Sequence, residues 1–383
     1  MERRRLRKRC LRACSGGVSP VRGLQSAICK PQWGCEDEQL DRTRKARRQA
    51  RKDHGPRAQL DWLRAQYPSS ETVLVAKPWV TEIFLHHPAI SRQIVYDPEA
   101  EHRGVQGFWK LVHALRAEKF NAAVLFQNAF HAAWTAWWAD IPVRVGYARE
   151  GRSRLLTDAV EVPPAAAYGH HAHYYLQLLF RAGLIERPDP VEDVRLVLDK
   201  AEMAWARKCV ESLGLDGPRF LVGLHPGAAF GPAKRWLPDR FADLADRLIG
   251  ALDADVLIFG APEEKPLAEA IAQQMEHRPA VVAGRTTLRQ LMSLLAQCQL
   301  IVANDSGPMH LAAALGVPLV AIFGSTNERA TGPLGTRARV VKQPVECSPC
   351  GRRECPIDFR CMTGVAVDSV HRAALEVLKG AGA

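Results

Sequence analysis

The chain has 383 residues, of which 47% are hydrophobic and 24% are charged, with 28 glycines and 25 prolines. This composition is typical of a globular protein large enough for two domains, and it excludes collagen, a coiled coil and wholesale disorder. The net charge of +11 lies entirely in residues 1–57, which hold 17 Lys or Arg against 6 Asp or Glu. Because the rest of the chain is neutral, no nucleic-acid partner is expected.

Residues 1–57 form a basic segment without helix or strand periodicity, so we predict that they are disordered or are not a native N-terminus. No apolar segment typical of a secretory signal follows the first arginines. No apolar run is long enough to span a bilayer. Ten cysteines are too few for a disulfide framework in a chain of this length. These features predict a cytoplasmic protein.

A first α/β series occupies residues 58–190. The segments TVLVA, IVYD and NAAVLF are predicted strands, and FWKLVHALRAEKF is a predicted helix between two of them. Short buried strands that alternate with helices predict a parallel sheet. The segment RVGYAREGRSR then supplies guanidinium groups suited to an anionic ligand, although a solvated basic loop is the alternative. These groups belong to Arg144, Arg149, Arg152 and Arg154.

A second α/β series occupies residues 191–383, after the proline-rich linker IERPDPVEDV. Predicted strands such as FLVGLH, LIVAN and VPLVAIF alternate with helices such as PDRFADLADRLIGAL and KPLAEAIAQQM. We therefore predict an α/β protein with two doubly wound, Rossmann-like domains. Ligands of such sheets bind at the carboxyl ends of the strands, which makes the turns after the strands the candidate sites.

Two of these turns contain a glycine together with a charged residue. In HPGAAFGPAKRW, Gly227 allows the backbone to approach an anion and Lys234 adds positive charge, although an ordinary loop with a surface lysine fits as well. In FGAPEEK, Glu263 or Glu264 is placed to bind a ribose diol, and the other is expected to interact with the dipole of the next helix.

The turn LIVANDSGPMHLAAALG is the most informative segment of the chain. Asp305 ends a strand, Ser306 is a predicted helix N-cap, and Gly307 and His310 belong to the first helical turn. Helix N–H groups, a hydroxyl and an imidazole would then converge on one point. This pattern suits a diphosphate with a sugar beside it.

Four cysteines near the C-terminus have spacings that leave two interpretations open. Cys347, Cys350, Cys355 and Cys361 could hold zinc or could be reduced structural residues. Zinc ribbons separate their two cysteine pairs more widely, so we predict no metal site.

The strand-end motifs together resemble glycosyltransferase family 9, the ADP-heptose transferases of lipopolysaccharide core assembly. HPGAAFGPAKRW, FGAPEEK and NDSGPMHLAAALGVPLVAIFG occur in the family's order, and the tail VECSPCGRRECP resembles the heptosyltransferase II subgroup. The resemblance covers about residues 60–383. It implies a GT-B fold, with two Rossmann-like domains facing a cleft, and an inverting transfer that needs no metal or other cofactor.

The resemblance also implies roles for the candidate residues. Lys234 would neutralise the donor diphosphate, Glu263 or Glu264 would hold the ribose, and Asp305 would bind the heptose hydroxyls. Gly227, Ser306, Gly307 and His310 would line the donor site, and Arg144, Arg149 and Arg152 would bind the acceptor. The partners would be ADP-heptose and the lipopolysaccharide inner core, a glycolipid at the inner membrane surface, where the protein would bind peripherally.

The chain departs from the family at its N-terminus. The family begins with a buried strand and a Gly-Asp loop whose aspartate is the expected general base, and we predict that this first strand is missing here. Asp37 follows Trp33 and Gly34, but no apolar strand precedes it. We therefore assign no catalytic residue and expect impaired activity. The alternatives are a catalytically inactive nucleotide-sugar-binding protein of the same fold, or a basic tail that binds RNA.

Overall fold

The structure is a computed structural model that describes residues 26–30, 59–164, 169–186, 194–215 and 219–380. Chain contacts divide it into two compact units, Met1–Val191 and Glu192–Ala383. Each unit contains a sheet of six strands with helices between them. Within the described residues, no helix is both long enough and apolar enough to cross a membrane.

The strands of the N-terminal unit lie in the order β3-β2-β1-β4-β5-β6. They are β1 (Ser26–Lys30), β2 (Glu71–Ala76), β3 (Arg92–Val95), β4 (Ala122–Leu125), β5 (Val143–Tyr147) and β6 (Asp158–Val160). The helices are α1 (Gln59–Gln66), α2 (Pro78–Ile83), α3 (Gly104–Ala117), α4 (Phe130–Trp138) and α5 (His171–Arg181), and a 3₁₀ turn spans Arg152–Leu155. One apolar layer packs α3 and α4 against the sheet, with Leu111, Leu115, Ala133 and Ala136 at its centre.

The central strand of this sheet, β1, is antiparallel to both of its neighbours. β1 pairs antiparallel with both β2 and β4, whereas β2–β3, β4–β5 and β5–β6 are parallel. Ser26–Lys30 therefore occupies the position at which we predicted that the first strand is missing, but it runs in the antiparallel direction. An empty position would leave N–H and C=O groups of β2 and β4 unpaired, and the short segment satisfies them. The other predictions for residues 1–57, including those for Asp37, lie outside the described residues.

All strands of the C-terminal unit are parallel and lie in the order β12-β11-β10-β7-β8-β9. They are β7 (Phe220–His225), β8 (Ala254–Ile258), β9 (Ala280–Val281), β10 (Leu300–Asn304), β11 (Leu319–Phe323) and β12 (Ala338–Lys342). The helices are α6 (Lys200–Ser212), α7 (Pro238–Leu252), α8 (Lys265–Gln274), α9 (Leu288–Leu295), α10 (Gly307–Ala314), α11 (Glu328–Thr331), α12 (Arg360–Thr363) and α13 (Val367–Lys379).

The sequence explains why these elements form. Every residue of β10 and β11 is buried, as expected for apolar strands that helices cover on both faces. α7 starts with Pro238 in its first turn and ends at Asp253, which has a left-handed φ of 48°. Thr287 and Gln290 form a capping box at the start of α9. The resulting core holds the carboxyl ends of β7 and β10 rigidly side by side.

Candidate functional site

The candidate site lies where the strand order of the C-terminal sheet reverses. β7 and β10 are neighbours in the sheet although two strands, β8 and β9, lie between them in the chain, and Ala303 of β10 is paired with His225 of β7. Chain connections leave these two strands toward opposite sides, which opens a crevice at their carboxyl ends. The loops 226–236 and 305–307 both start from this crevice.

Lys234 and Asp305 form the charged centre of the site. The Lys234 ammonium nitrogen Nζ lies 2.5 Å from Asp305 Oδ2, and both side chains are largely buried, with 12% and 5% exposed. Thr326 Oγ1 donates a second hydrogen bond of 2.5 Å to the same oxygen. Nζ also lies 4.8 Å from the centre of the Phe230 ring. An ammonium carries three N–H donors, so the bond to Asp305 leaves donors for an anionic ligand.

The helix α10 begins beside this pair. Ser306 occupies the N-cap position as predicted, but its side chain makes no capping hydrogen bond. Its hydroxyl instead lies 3.2 Å from Nδ1 of His225. A Cβ built on Gly307 would meet no atom within 4 Å, and His310 is exposed. The start of the helix is therefore open and lacks a serine cap, which suits a phosphate.

Asn304 fixes the loop that carries Lys234. Its side chain is fully buried, accepts a hydrogen bond from the Trp236 backbone N–H at 3.1 Å and donates one to the Pro226 carbonyl at 2.7 Å. The Trp236 indole N–H donates to the Val365 carbonyl at 3.0 Å and its ring is buried in the core. Both ends of the loop are thereby held, so that Lys234 meets Asp305 at a defined position.

A buried histidine and glutamate border the crevice on the β8 side. His225 Nε2 lies 3.7 Å from Glu264 Oε2, and Oε2 accepts the Ala261 N–H at 3.0 Å. A Cβ on Gly227 would lie 2.1 Å from the Glu264 carboxylate, so glycine is required there to make room for that carboxylate. Burial lowers the pKa of His225, and the negative Glu264 offsets this only in part.

The two adjacent glutamates predicted as candidates for the ribose differ in their surroundings. Glu264 is 8% exposed and reaches the crevice wall, whereas Glu263 is exposed to solvent. The prediction named Glu263 with Glu264 open as the alternative, and Glu264 is the one beside Gly227. The difference arises because the 3₁₀ turn Pro262–Glu264 rotates consecutive side chains to different sides.

The cysteine-containing tail packs on the loop that carries Lys234. The Arg353 carbonyl accepts the Ala233 N–H at 3.0 Å, and Arg353 Nε donates to the Phe230 carbonyl at 2.7 Å. A Cβ on Gly231, whose φ is 153°, would lie 2.5 Å from the same Arg353 carbonyl oxygen. The tail therefore covers the loop from outside and restricts its movement.

The four cysteines of the tail are free thiols. Cys347 and Cys350 are exposed, Cys355 is half-buried and Cys361 is buried. Burial and the neighbouring thiols raise the pKa of Cys361. Within the part of the chain that the structure describes, no three of these sulfurs lie within 4.8 Å of one another.

The predicted acceptor arginines of the N-terminal unit are largely used inside that unit. Arg152 is fully buried, and its guanidinium donates to the carbonyls of Tyr147 at 3.0 Å and Gln127 and to Asn128 Oδ1 at 3.3 Å. Arg144 donates to the carbonyls of Leu155 at 2.6 Å and Ile141.

Burial lowers the pKa values of both Arg144 and Arg152. Arg152 thus binds carbonyl groups at the ends of β4 and β5, and its full burial leaves its role as an acceptor ligand a prediction. Arg144 is half-buried and bound in the same way. Of the three predicted acceptor ligands, Arg149 is the exposed one.

Three residues of the site were not predicted as such: His225, Asn304 and Thr326. His225 and Asn304 are the last residues of β7 and β10, and Thr326 lies three residues after the end of β11, so their position in the sequence was a usable signal. The residue types alone do not indicate a site, because Asn and Thr are common in ordinary turns.

The comparisons with known proteins fit this arrangement. Residues 108–359 match the family model described as Glycosyltransferase family 9 (heptosyltransferase). Over 288 residues the chain is 31% identical to Lipopolysaccharide heptosyltransferase 2 of Escherichia coli (strain K12), which covers 73% of this chain and 81% of the relative. It is 32% identical over 287 residues to Lipooligosaccharide heptosyltransferase 2 of Haemophilus influenzae (strain ATCC 51907), which covers 73% and 82%.

Among solved structures, E. coli ADP-heptose lps heptosyltransferase II has a similar fold. The TM-score is 0.71 at 27% sequence identity, over 85% of this chain and 94% of that chain. A glycosyl transferase family 9 structure from Veillonella parvula DSM 2008 gives a TM-score of 0.74 at 24% identity, over 84% and 92% of the two chains.

Proposed function

Since the chain belongs to glycosyltransferase family 9 (heptosyltransferase) and is therefore a glycosyltransferase, we propose that it transfers heptose from ADP-heptose to the inner core of lipopolysaccharide with inversion at the anomeric carbon. The names of its relatives support the sugar and the acceptor. The name of the solved E. coli structure supports the ADP-linked donor.

The observation that carries this proposal is the Lys234–Asp305 pair at the open start of α10. A nucleoside diphosphate needs positive charge and N–H donors, and both lie at this crevice. We place the diphosphate against Lys234 and the first turn of α10, the ribose beside Glu264, and the heptose hydroxyls beside Asp305. Gly227 and Gly307 have no side chains and leave space for the donor, and His310 lies at the edge of the proposed donor site.

In the proposed reaction an acceptor hydroxyl oxygen attacks the anomeric carbon while the bond from that carbon to the phosphate oxygen breaks. ADP leaves with the electron pair, and the acceptor proton passes to a base. Lys234 and the helix N–H groups stabilise the charge that develops on the leaving diphosphate. Asp305 is held by Lys234 and Thr326, so its carboxylate is oriented before the sugar binds.

The direction of β1 supports the proposal that activity is impaired. Lys30 pairs with Glu71 at the start of β2, and Ser26 pairs with Val75 near its end. The chain therefore leaves β1 at the sheet edge where β2 begins, opposite the edge where parallel strands present ligand-binding turns. A base supplied directly after β1 would lie at the wrong edge. This observation favours the second candidate function, a nucleotide-sugar-binding protein without turnover.

Calorimetry with ADP tests the donor site. Lys234→Met should weaken ADP binding by about 30-fold or more, because a largely buried cation facing the diphosphate is lost. Lys208→Met removes an exposed lysine of α6 in the same unit and should leave the affinity unchanged. Equal ADP affinities of wild type and Lys234→Met would refute the proposed site.

A heptose-transfer assay with radiolabelled ADP-heptose and heptose-free core acceptor then separates the two candidate functions. Transfer at any rate above the protein-free control supports the enzyme. ADP binding without transfer supports the binding protein.

A further inference from the structure

Six aromatic side chains of α3 and α4 form a continuous row, which we call the aromatic ladder. Neighbouring ring centres are 4.9–6.1 Å apart along the order Phe130, Trp134, Phe108, Trp109, Trp138 and Trp137. The two helices pack side by side on the same face of the N-terminal sheet, which brings these rings together.

The ladder is not covered by the rest of its unit. Phe130, Trp134 and Trp137 are 44%, 41% and 43% exposed, and Val105 at the start of α3 is 76% exposed. An apolar surface of this kind, built from contiguous rings on two helices, is unusual on a free protein surface and marks a contact site. Tryptophan combines a flat apolar ring with one N–H donor, which suits the boundary between lipid and water.

The charges around the ladder decide between possible occupants. Exposed basic side chains outnumber exposed acidic ones along α3, α4 and the loop that packs against α4. The basic side chains, counted from the turn that precedes α3, are Arg103, Lys110, Arg116, Lys119, Arg149 and Arg154, and the acidic ones are Glu99, Glu101, Asp140 and Glu150. Two of the four acidic side chains pair with basic ones of the same surface, Glu101 with Lys110 and Asp140 with Arg116. An apolar centre with a positive border is complementary to a bilayer that carries anionic headgroups.

We propose that the aromatic ladder docks the protein on the surface of an anionic phospholipid bilayer. The exposed rings enter the headgroup region, and the basic side chains contact lipid phosphates. The inference rests on the proposed function in one respect only: docking on a bilayer would bring the protein to a glycolipid acceptor. It adds a membrane contact that the donor site neither requires nor explains.

Vesicle co-sedimentation of the full chain tests the proposal. Vesicles of phosphatidylethanolamine with phosphatidylglycerol are compared with vesicles of phosphatidylcholine alone. We expect binding to the anionic vesicles, and we expect Trp134→Ser combined with Trp137→Ser to lower the partition coefficient by about tenfold or more. Circular dichroism checks that the double variant is folded, since both side chains are half-exposed.

The matched control is Trp79→Ser. Trp79 is 55% exposed on α2, and α2 contributes nothing to the core beneath α3 and α4. This variant should bind anionic vesicles as the wild type does. Repeating the measurement at high salt screens binding by the basic residues 1–57 but leaves ring insertion largely intact.

Three outcomes would overturn the proposal. The wild type does not bind anionic vesicles, or the double variant binds them equally well at every salt concentration. The third is that light scattering shows a dimer that the double variant dissociates while vesicle binding is unchanged, which makes a second copy the occupant.

Transfer to a soluble, deacylated core acceptor separates this inference from the proposed function. If the double variant keeps heptose transfer to this acceptor but no longer binds vesicles, the result supports both the docking surface and the proposed function. Ladder-dependent vesicle binding by a wild type that transfers heptose to no acceptor leaves the docking surface intact and refutes the enzyme.

Discussion

The N-terminal and C-terminal units share the strand order of a Rossmann-like sheet but differ in the direction of one central strand. In the C-terminal unit β7 runs parallel to β10, and its carboxyl end delivers His225 and the loop with Lys234 to the crevice. In the N-terminal unit β1 is antiparallel to both neighbours and ends at the opposite edge. A site in this fold therefore depends on strand direction as much as on strand order.

The two units also use their basic side chains differently. Lys234 faces a carboxylate at the edge of a crevice, whereas Arg152 is enclosed and binds carbonyl groups of its own unit. The same residue class thus borders an open crevice in one unit and stabilises the internal structure of the other.

The largest expected effect is on the rate of heptose transfer, and it comes from restoring the parallel direction of the first strand. A chimera in which residues 1–57 are replaced by the corresponding N-terminal segment of the E. coli relative should transfer heptose at least about 100 times faster, because a positioned general base contributes about that factor. Steady-state transfer assays measure the ratio. Equal rates of chimera and original chain would show that the first strand is not what limits activity.

The next effect concerns stability. Arg152→Ala should lower the free energy of unfolding by about 3 kcal/mol or more, since several buried carbonyls lose their donor. Arg154→Ala, two residues away and exposed, should change it by less than about 0.5 kcal/mol. Urea denaturation measures both. A small effect on stability together with weaker acceptor binding would instead support the predicted role of Arg152 as an acceptor ligand.

A smaller effect distinguishes the two adjacent glutamates. Glu264→Gln should weaken ADP binding by about tenfold, because a buried carboxylate beside the proposed ribose position loses charge. Glu263→Gln should leave binding within about twofold, since that side chain is exposed. Calorimetry that reversed this order would contradict the position of Glu264 in the site.

The smallest effect is the pH dependence due to His225. Burial holds its pKa in the folded protein below the unfolded value. Between about pH 7.5 and about pH 5.5 the unfolded chain therefore takes up a proton that the folded chain does not, so wild-type stability falls. His225→Gln lacks this loss, and its stability relative to wild type should rise by about 1 kcal/mol over that range. Denaturation at both pH values measures the change, and a constant difference would mean that His225 titrates normally.

Family membership, the α/β fold of GT-B type and the glycosyltransferase activity class were predicted from sequence, and these predictions are confirmed. The strand-end motifs made this possible, because HPG, GAPEE and NDSGPMH combine glycine with polar residues directly after apolar strands. Such patterns are local, so they can be recognised without a structure.

Other features depend on contacts between distant residues. The burial of Glu264, in contrast to the exposed Glu263, follows from packing against Gly227, 37 positions earlier in the chain. The burial of Arg152 follows from carbonyls of β4 and β5, which the arginine-rich sequence does not reveal. The antiparallel direction of β1 follows from pairing with β2 and β4, and no periodicity in Ser26–Lys30 indicates it.

A crystal structure with bound ADP tests the central claim most directly. The account predicts diphosphate oxygens within hydrogen-bond distance of Lys234 Nζ and of backbone N–H groups in the first turn of α10. A diphosphate bound elsewhere, with Lys234 still paired only to Asp305, would contradict it.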